Sequence, residues 1–99
     1  MKIQKGEYKF ELVMVSGDGC SYCENSKAYL DNNELPYRIV DYKTFPKFKE
    51  DNHRTIPQFY LFNRETAEYE LLCDQGYVGL TRLSRDAILA RLRGWGHEL

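Results

Sequence analysis

The chain has 99 residues, of which 42% are hydrophobic and 29% are charged, and its formal net charge is −1 at pH 7. This length predicts one domain spanning residues 1–99, and the near-zero charge gives no electrostatic reason to expect nucleic acid or an anionic membrane as a partner. No apolar run approaches the roughly 18 residues of a membrane span, and Met1–Glu7 lacks the apolar core of a signal peptide, so we expect a cytoplasmic protein without a membrane segment.

The first half of the chain alternates between strand and helix patterns. Lys9–Val15 is apolar and contains β-branched residues, which predicts a strand, and Tyr22–Asn33 has the spacing of a helix. Tyr37–Tyr42 predicts a second strand. Thr44 is a suitable N-cap for a short helix that reaches about Asn52. Because a helix connects the first two strands, we expect those strands to be parallel neighbours.

The second half predicts a hairpin and then a helix. Gln58–Asn63 and Glu68–Cys73 are strand-like, and Arg64–Ala67 joins them as a turn. Asp74–Gly79 is predicted to be a loop, and Thr81 is predicted to cap the last helix. The apolar face of that helix consists of Leu83, Ala87, Ile88, Leu92 and Trp95.

The order β-α-β-α-β-β-α predicts an α/β fold with a four-stranded mixed sheet flanked by helices on both faces. The candidate core residues are apolar and lie in the predicted strands and the last helix. They are Val13, Val15, Ile39, Phe59, Leu61, Ile88 and Leu92.

A Cys-x-x-Cys motif, formed by Cys20 and Cys23, lies between the first strand and the first helix, directly after the Gly-rich turn Ser16–Gly19. Unpaired N–H groups and the positive end of the helix dipole favour a thiolate at a helix start, so Cys20 is predicted to be a nucleophile at neutral pH. Cys23 lies one turn later, within reach of a disulfide. With three cysteines in total, an odd number, a secreted disulfide framework is a poor explanation. The motif predicts thiol–disulfide exchange in a reducing compartment.

Four features, in this order, resemble the glutaredoxins, which are small oxidoreductases of thioredoxin-like fold. They are the first strand with Cys20-Ser21-Tyr22-Cys23, the second strand, Thr55-Ile56-Pro57 before the third strand, and Gly76-Tyr77-Val78-Gly79 before the last helix. The match covers roughly residues 9 to 93. The resemblance implies a thioredoxin-like fold and a glutathione-dependent oxidoreductase that reduces protein disulfides and glutathione mixed disulfides.

The resemblance also implies a role for each site residue. Cys20 is the nucleophile, and Cys23 resolves the mixed disulfide. The Ile56–Pro57 bond is expected to be cis and to face Cys20, so that the backbone of Ile56 can pair with an extended substrate. Gly76 and Gly79 are expected to hold a carboxylate of glutathione through their N–H groups. The expected substrate- and glutathione-binding residues are Tyr22, Arg54, Thr55, Ile56, Pro57, Gly76 and Tyr77.

Two positions depart from the family pattern. Many glutaredoxins carry a lysine three residues before the first cysteine, where this chain has Gly17, followed by Asp18. Arg54 is the preferred alternative source of positive charge because it directly precedes the Thr-Ile-Pro motif; the other candidates are Lys47, Lys49 and His53. Tyr77 replaces a usual glycine. In these respects the chain is similar to redoxins recharged by thioredoxin reductase, which remain an alternative to glutathione as reductant.

No permanently bound cofactor and no metal site are expected. A zinc site usually shows two closely spaced ligand pairs, and only one exists here, so Cys73 is interpreted as a bystander. The serine of the motif is similar to that of glutaredoxins that bridge a [2Fe–2S] cluster between two subunits, so a non-catalytic cluster carrier is the alternative from another class. The expected partners of this monomer are glutathione and disulfide-containing proteins, among them ribonucleotide reductase, the usual client of such small proteins.

Overall fold

The computed structural model describes residues 8–94. Its strands are β1 (Phe10–Ser16), β2 (Arg38–Asp41), β3 (Gln58–Asn63) and β4 (Glu68–Leu71). Its helices are α1 (Ser21–Asn32), α2 (Pro46–Glu50), α3 (Gly76–Thr81) and α4 (Arg85–Arg93), and a 3₁₀ turn (Tyr42–Thr44) precedes α2.

The four strands form one mixed sheet in the order β2-β1-β3-β4. β1 is parallel to β2, with Val13 opposite Arg38, and antiparallel to β3, with Leu12 opposite Leu61. β3 and β4 form the predicted hairpin. The predicted α/β class and the four-stranded mixed sheet flanked by helices are confirmed, and this architecture is compatible with a thioredoxin-like fold. Within residues 8–94, no helix is both long enough and apolar enough to cross a membrane.

β1 is buried on both faces because helices cover both sides of the sheet. Leu12 and Met14 belong to the core cluster with α1, α3 and α4, whereas Val13 belongs to the cluster on the α2 side. Alternate side chains of a strand point to opposite faces, so a central strand has a continuous apolar sequence.

Ile39 was predicted to be a core residue, and that prediction was wrong, because Ile39 is 45% exposed. β2 is an edge strand, and Ile39 borders an open cleft beside the start of α1.

The segment before the last helix differs most from the sequence prediction. Residues predicted to be a loop form α3, and Ser84, not Thr81, is the N-cap of α4. Ser84 Oγ accepts a hydrogen bond from the N–H of Ala87 at 3.1 Å. The Thr81 hydroxyl instead donates to the Val78 carbonyl at 3.0 Å, within its own helix. Glycine disfavours helices, so the two glycines of α3 concealed it in the sequence.

Smaller boundary predictions also change. Thr44 does not cap α2, which begins at Pro46 without a side-chain cap, because the Thr44 hydroxyl donates to a carbonyl three residues earlier. β4 ends two residues before Cys73, which therefore lies in the following loop. Leu83 lies in the turn between α3 and α4 and is not on the face of the last helix. Trp95 lies outside the described residues.

A partly buried hydrogen bond connects the end of α2 to β3. The Tyr60 hydroxyl donates to Asp51 Oδ2 at 2.6 Å, and Lys47 Nζ lies 3.2 Å from Asp51 Oδ1. Burial alone would raise the pKa of Asp51, but the Tyr60 hydrogen bond, followed by Lys47 and His53, lowers it overall from 3.8. Because the pKa of Asp51 is depressed in the folded protein, its ionised carboxylate stabilises the fold at pH values above the pKa of the unfolded state. That stabilisation is lost as the pH falls through the pKa of the folded state.

Tyr60→Phe should therefore lower the free energy of unfolding by about 1.5–3 kcal/mol at neutral pH, the usual range for a hydrogen bond to a charged group. The deficit should shrink at low pH, once the pH has fallen through the depressed pKa of Asp51 and its carboxylate has lost the charge that strengthens the hydrogen bond. Tyr29→Phe is the matched control, because the Tyr29 hydroxyl donates to the neutral Leu83 carbonyl at 2.6 Å. Urea unfolding at the two pH values measures both deficits, and a Tyr60→Phe deficit that does not change with pH would contradict this account.

Candidate active site

The two cysteines of the motif lie where β1 passes into α1 and are joined as a disulfide, with their Cα atoms 5.2 Å apart. Cys20 is the N-cap of α1, and the backbone N–H of Cys23 donates to Cys20 Sγ at 3.1 Å. An N–H group directed at a sulfur favours the thiolate once the disulfide is reduced. Cys23 is 1% exposed, whereas Cys20 is half-buried. Cys20 is therefore the sulfur that another molecule can reach.

The segment before β3 forms the wall opposite Cys20. Cys20 Sγ lies 3.7 Å from the carbonyl oxygen of Ile56, and the Ile56–Pro57 peptide bond is cis, as expected. Within residues 8–94 no hydrogen bond engages the backbone N–H of Ile56. The buried Gln58 side chain donates to the Thr55 carbonyl at 3.0 Å and so holds the segment from behind. An extended peptide placed beside Ile56 would thus find a free donor next to the reactive sulfur.

A groove of about 300 Å³ lies along this wall. It is lined by six of the seven predicted binding residues, namely Tyr22, Thr55, Ile56, Pro57, Gly76 and Tyr77. The rings of Tyr22 and Tyr77 lie 5.8 Å apart between centroids, so an aromatic pair forms one side. Gln75 and Val78 complete the lining, and their only sequence signal was adjacency to Gly76 and Tyr77. We refer to this surface as the groove.

The start of α3 lines the groove, but one of the two glycine N–H groups expected to bind a carboxylate is already used there. The N–H of Gly79 donates to the Gln75 carbonyl at 3.4 Å, so it is used within the helix. This corrects the expectation that Gly76 and Gly79 together hold a carboxylate. Gly76, at φ 53°, instead has a packing role, because a Cβ atom there would collide with the Pro57 carbonyl oxygen. Glycine is the residue that permits this approach.

Arg54 is exposed and is not among the residues that line the groove. Of the other cations considered, Lys47 pairs with Asp51 at 3.2 Å, and the His53 ring lies between Phe48 and Tyr60. The structure therefore brings together the cysteines, the aromatic pair and the cis-proline segment. It does not bring a predicted cation into the groove.

A second and larger cleft, of about 580 Å³, lies on the other flank of Cys20, between the start of α1 and the edge strand β2. Three carboxylates line it, from Asp18, Glu24 and Asp41. Its one cation, Lys27, is paired with Glu24 at 3.0 Å. We refer to this surface as the acidic cleft.

Gly17 occupies the position where many glutaredoxins carry lysine, and the packing gives a reason for the glycine. A Cβ atom at this position would lie 2.8 Å from both Ile56 Cδ1 and the ring of Tyr42. A longer side chain would have to displace Ile56, which is part of the groove wall. A lysine at this position would therefore need the Ile56 and Tyr42 side chains to move.

Cys73 lies in the loop between β4 and α3 and lines neither the groove nor the acidic cleft. Its burial, followed by the nearby Asp74 carboxylate, raises the pKa of its thiol to about 11, so it is protonated at neutral pH. A protonated, partly buried thiol is a poor nucleophile. Within the described part of the chain, no three His, Cys, Asp or Glu side chains are grouped so that they could hold a metal ion.

The arrangement is chemically suited to thiol–disulfide exchange, with one accessible sulfur, one buried sulfur in reach of it and an adjacent groove with a free backbone donor. No model of a known protein family matches the chain, and no curated protein matches it.

Proposed function

We propose that the protein is a glutaredoxin-like thiol–disulfide oxidoreductase that reduces protein disulfides and glutathione mixed disulfides, with glutathione as co-substrate. The observation that carries this proposal is the pairing of Cys20 with Cys23 at the start of α1, with the Cys23 N–H directed at Cys20 Sγ. Structural disulfides rarely persist in a reducing cytoplasm, where we place the protein, so the pair is better explained by catalysis.

The reaction is a two-electron exchange. The Cys20 thiolate attacks one sulfur of a substrate disulfide, and the bond between the substrate sulfurs breaks as a mixed disulfide with Cys20 forms. The first leaving thiolate takes a proton from solvent. Cys23 then loses its proton and attacks Cys20 Sγ, which releases the second substrate thiolate and leaves Cys20 and Cys23 oxidised. Two glutathione molecules, or the dithiol of a reductase, restore the protein by the reverse exchange.

The groove supports the positioning of the substrate. An extended segment can pair with the free N–H of Ile56. Because Cys20 Sγ lies 3.7 Å from the Ile56 carbonyl oxygen, this pairing brings the substrate sulfur close to Cys20. Fixing the two reacting sulfurs in this way raises their effective concentration. On the basis of the resemblance to glutaredoxins, we also propose that the protein is monomeric and cytoplasmic and that its clients include ribonucleotide reductase.

Coupled turnover tests this function. The substrates are a glutathione mixed disulfide and a protein disulfide, and recharging is by glutathione with glutathione reductase or by thioredoxin reductase, each followed as consumption of NADPH. We expect NADPH consumption that requires the protein and that is lost in Cys20→Ser. If neither recharging system supports turnover of either substrate, the protein is not an oxidoreductase of this class.

A further inference from the structure

The groove carries no charge. Its eight lining residues are Tyr22, Thr55, Ile56, Pro57, Gln75, Gly76, Tyr77 and Val78, and none of them is an aspartate, glutamate, lysine, arginine or histidine. Arg54 is adjacent in sequence to this set but does not line the groove. A charged ligand group entering here would lose hydration without gaining an ion pair, which is unfavourable.

The opposite flank of Cys20 is negative. Asp18, Glu24 and Asp41 line the acidic cleft, and the one lysine there is already paired with Glu24. Glutathione carries two carboxylates and one ammonium group, so it is a net anion at neutral pH. On one side of Cys20 none of the residues lining the groove offers it a counter-charge, and on the other it meets carboxylates that repel it within the screening length of about 8–10 Å.

Exposed apolar side chains are concentrated around Cys20. In the part of the chain that the structure describes, three large hydrophobic side chains are exposed: Tyr22 at 57%, Val78 at 47% and Ile39 at 45%. Tyr22 and Val78 border the groove, and Ile39 borders the acidic cleft. Exposed apolar groups gathered around a reactive atom indicate contact with apolar surface of another protein, and tyrosine is a common anchor of such contacts.

We propose that the groove prefers an extended, uncharged protein segment in which an aromatic or aliphatic residue lies within two positions of the reacting cysteine, and that it discriminates against glutathione. This inference rests on the proposed function and narrows its substrate class. The client backbone pairs with Ile56, its cysteine meets Cys20, and its apolar neighbour packs on the Tyr22–Tyr77 pair. Glutathione then acts as a reductant by its abundance rather than by tight binding.

A single-turnover comparison tests the preference. Each substrate joins a peptide by a disulfide to the same quenched fluorescent thiol, and reduced protein is added without other thiols. The peptides are a hexapeptide with leucine and tyrosine beside cysteine, the same hexapeptide with glutamates at those positions, and glutathione itself. We expect the apolar peptide to react roughly tenfold faster than the other two, as is typical when one apolar contact is gained or lost.

A charge substitution at the rim gives the second arm. Val78 borders the groove, so Val78→Lys introduces a positive charge there and should raise the rate with the glutathione substrate several-fold and lower the rate with the apolar peptide. Val78→Gln is the matched control, and it should lower the rate with the apolar peptide without raising the glutathione rate.

The outcomes separate the two proposals. If the glutathione substrate reacts as fast as the apolar peptide in the unaltered protein, or if Val78→Lys leaves their ratio unchanged, the preference is wrong while exchange at Cys20 stands. If no substrate reacts faster than with Cys20→Ser, the proposed function fails and this inference fails with it.

Discussion

Replacing Cys20 by serine should abolish every exchange reaction, whereas replacing Cys23 by serine should abolish only the reactions that need a second thiol. Cys20 is the accessible sulfur at the start of α1, and it alone can attack a substrate. Cys23 is 1% exposed and reaches only Cys20. Loss of a nucleophile typically lowers the rate by about a thousandfold or more, so we expect the exchange rate of Cys20→Ser to fall by at least about that factor with all substrates.

In Cys23→Ser, the mixed disulfide with Cys20 must be released by a thiol from solution. Release of glutathione from a mixed disulfide should therefore continue when free glutathione is supplied, while reduction of a protein disulfide should fall by roughly a hundredfold or more, because the intramolecular attack is lost. Initial rates on the two substrate types measure this division. Cys73→Ser is the control and should match the unaltered protein, since the raised pKa keeps that thiol protonated.

Equal losses in Cys20→Ser and Cys23→Ser on both substrate types would show that the two sulfurs do not have separate roles. A Cys23→Ser protein that traps a mixed disulfide on Cys73, detected by mass spectrometry, would instead show that Cys73 takes part in the exchange.

The sheet and the reactive pair were predictable from sequence because their signals are local. The apolar run from Leu12 to Val15 indicates a strand buried on both faces, and two cysteines three positions apart at a helix start can pair with no knowledge of the rest of the fold. β3 was predicted with its observed bounds, Gln58–Asn63, since a proline precedes it and a turn follows it.

Other features depend on tertiary context and gave no local signal. Ile39 is apolar and β-branched, but its exposure follows from the edge position of β2, which only the strand order reveals. The sequence of α3 disfavours a helix at two of its six positions, so packing against α1 and β3 outweighs propensity there. Gln75 and Val78 enter the groove because α3 forms. The sequence also gave no sign that the groove lacks charged residues, since this depends on which side chains the fold places outside the groove.

Gly76→Ala should both destabilise the protein and impair the groove, because this glycine allows α3 to approach the segment that faces Cys20. A Cβ atom at position 76 would collide with the Pro57 carbonyl oxygen, and φ at this position is 53°. The left-handed backbone costs a residue other than glycine about 1–2 kcal/mol, and overpacking adds typically about 1–3 kcal/mol. We expect an unfolding deficit of about 2–5 kcal/mol from these two contributions.

Gly94→Ala separates the two contributions to the Gly76→Ala deficit. Gly94 ends α4 at φ 88°, and among residues 8–94 the nearest atoms to a Cβ there would belong to the flexible Lys9 side chain, at 3.3 Å, and to the edge of the Phe10 ring, at 3.7 Å. This control should show the backbone cost of about 1–2 kcal/mol with unchanged turnover, since it lies outside the groove. Urea unfolding gives the stabilities of both variants.

Turnover with the apolar peptide disulfide measures the groove in the Gly76→Ala protein. The start of α3, which carries Tyr77, must move away from Pro57. We therefore expect a fall of roughly tenfold in kcat/KM, the scale of a lost apolar contact. Alkylation of reduced Cys20 by a small reagent should proceed at the normal rate, because the start of α1 and the Cys23 N–H are untouched. A folded Gly76→Ala protein with normal peptide turnover would show that the contact between α3 and Pro57 does not shape the substrate site.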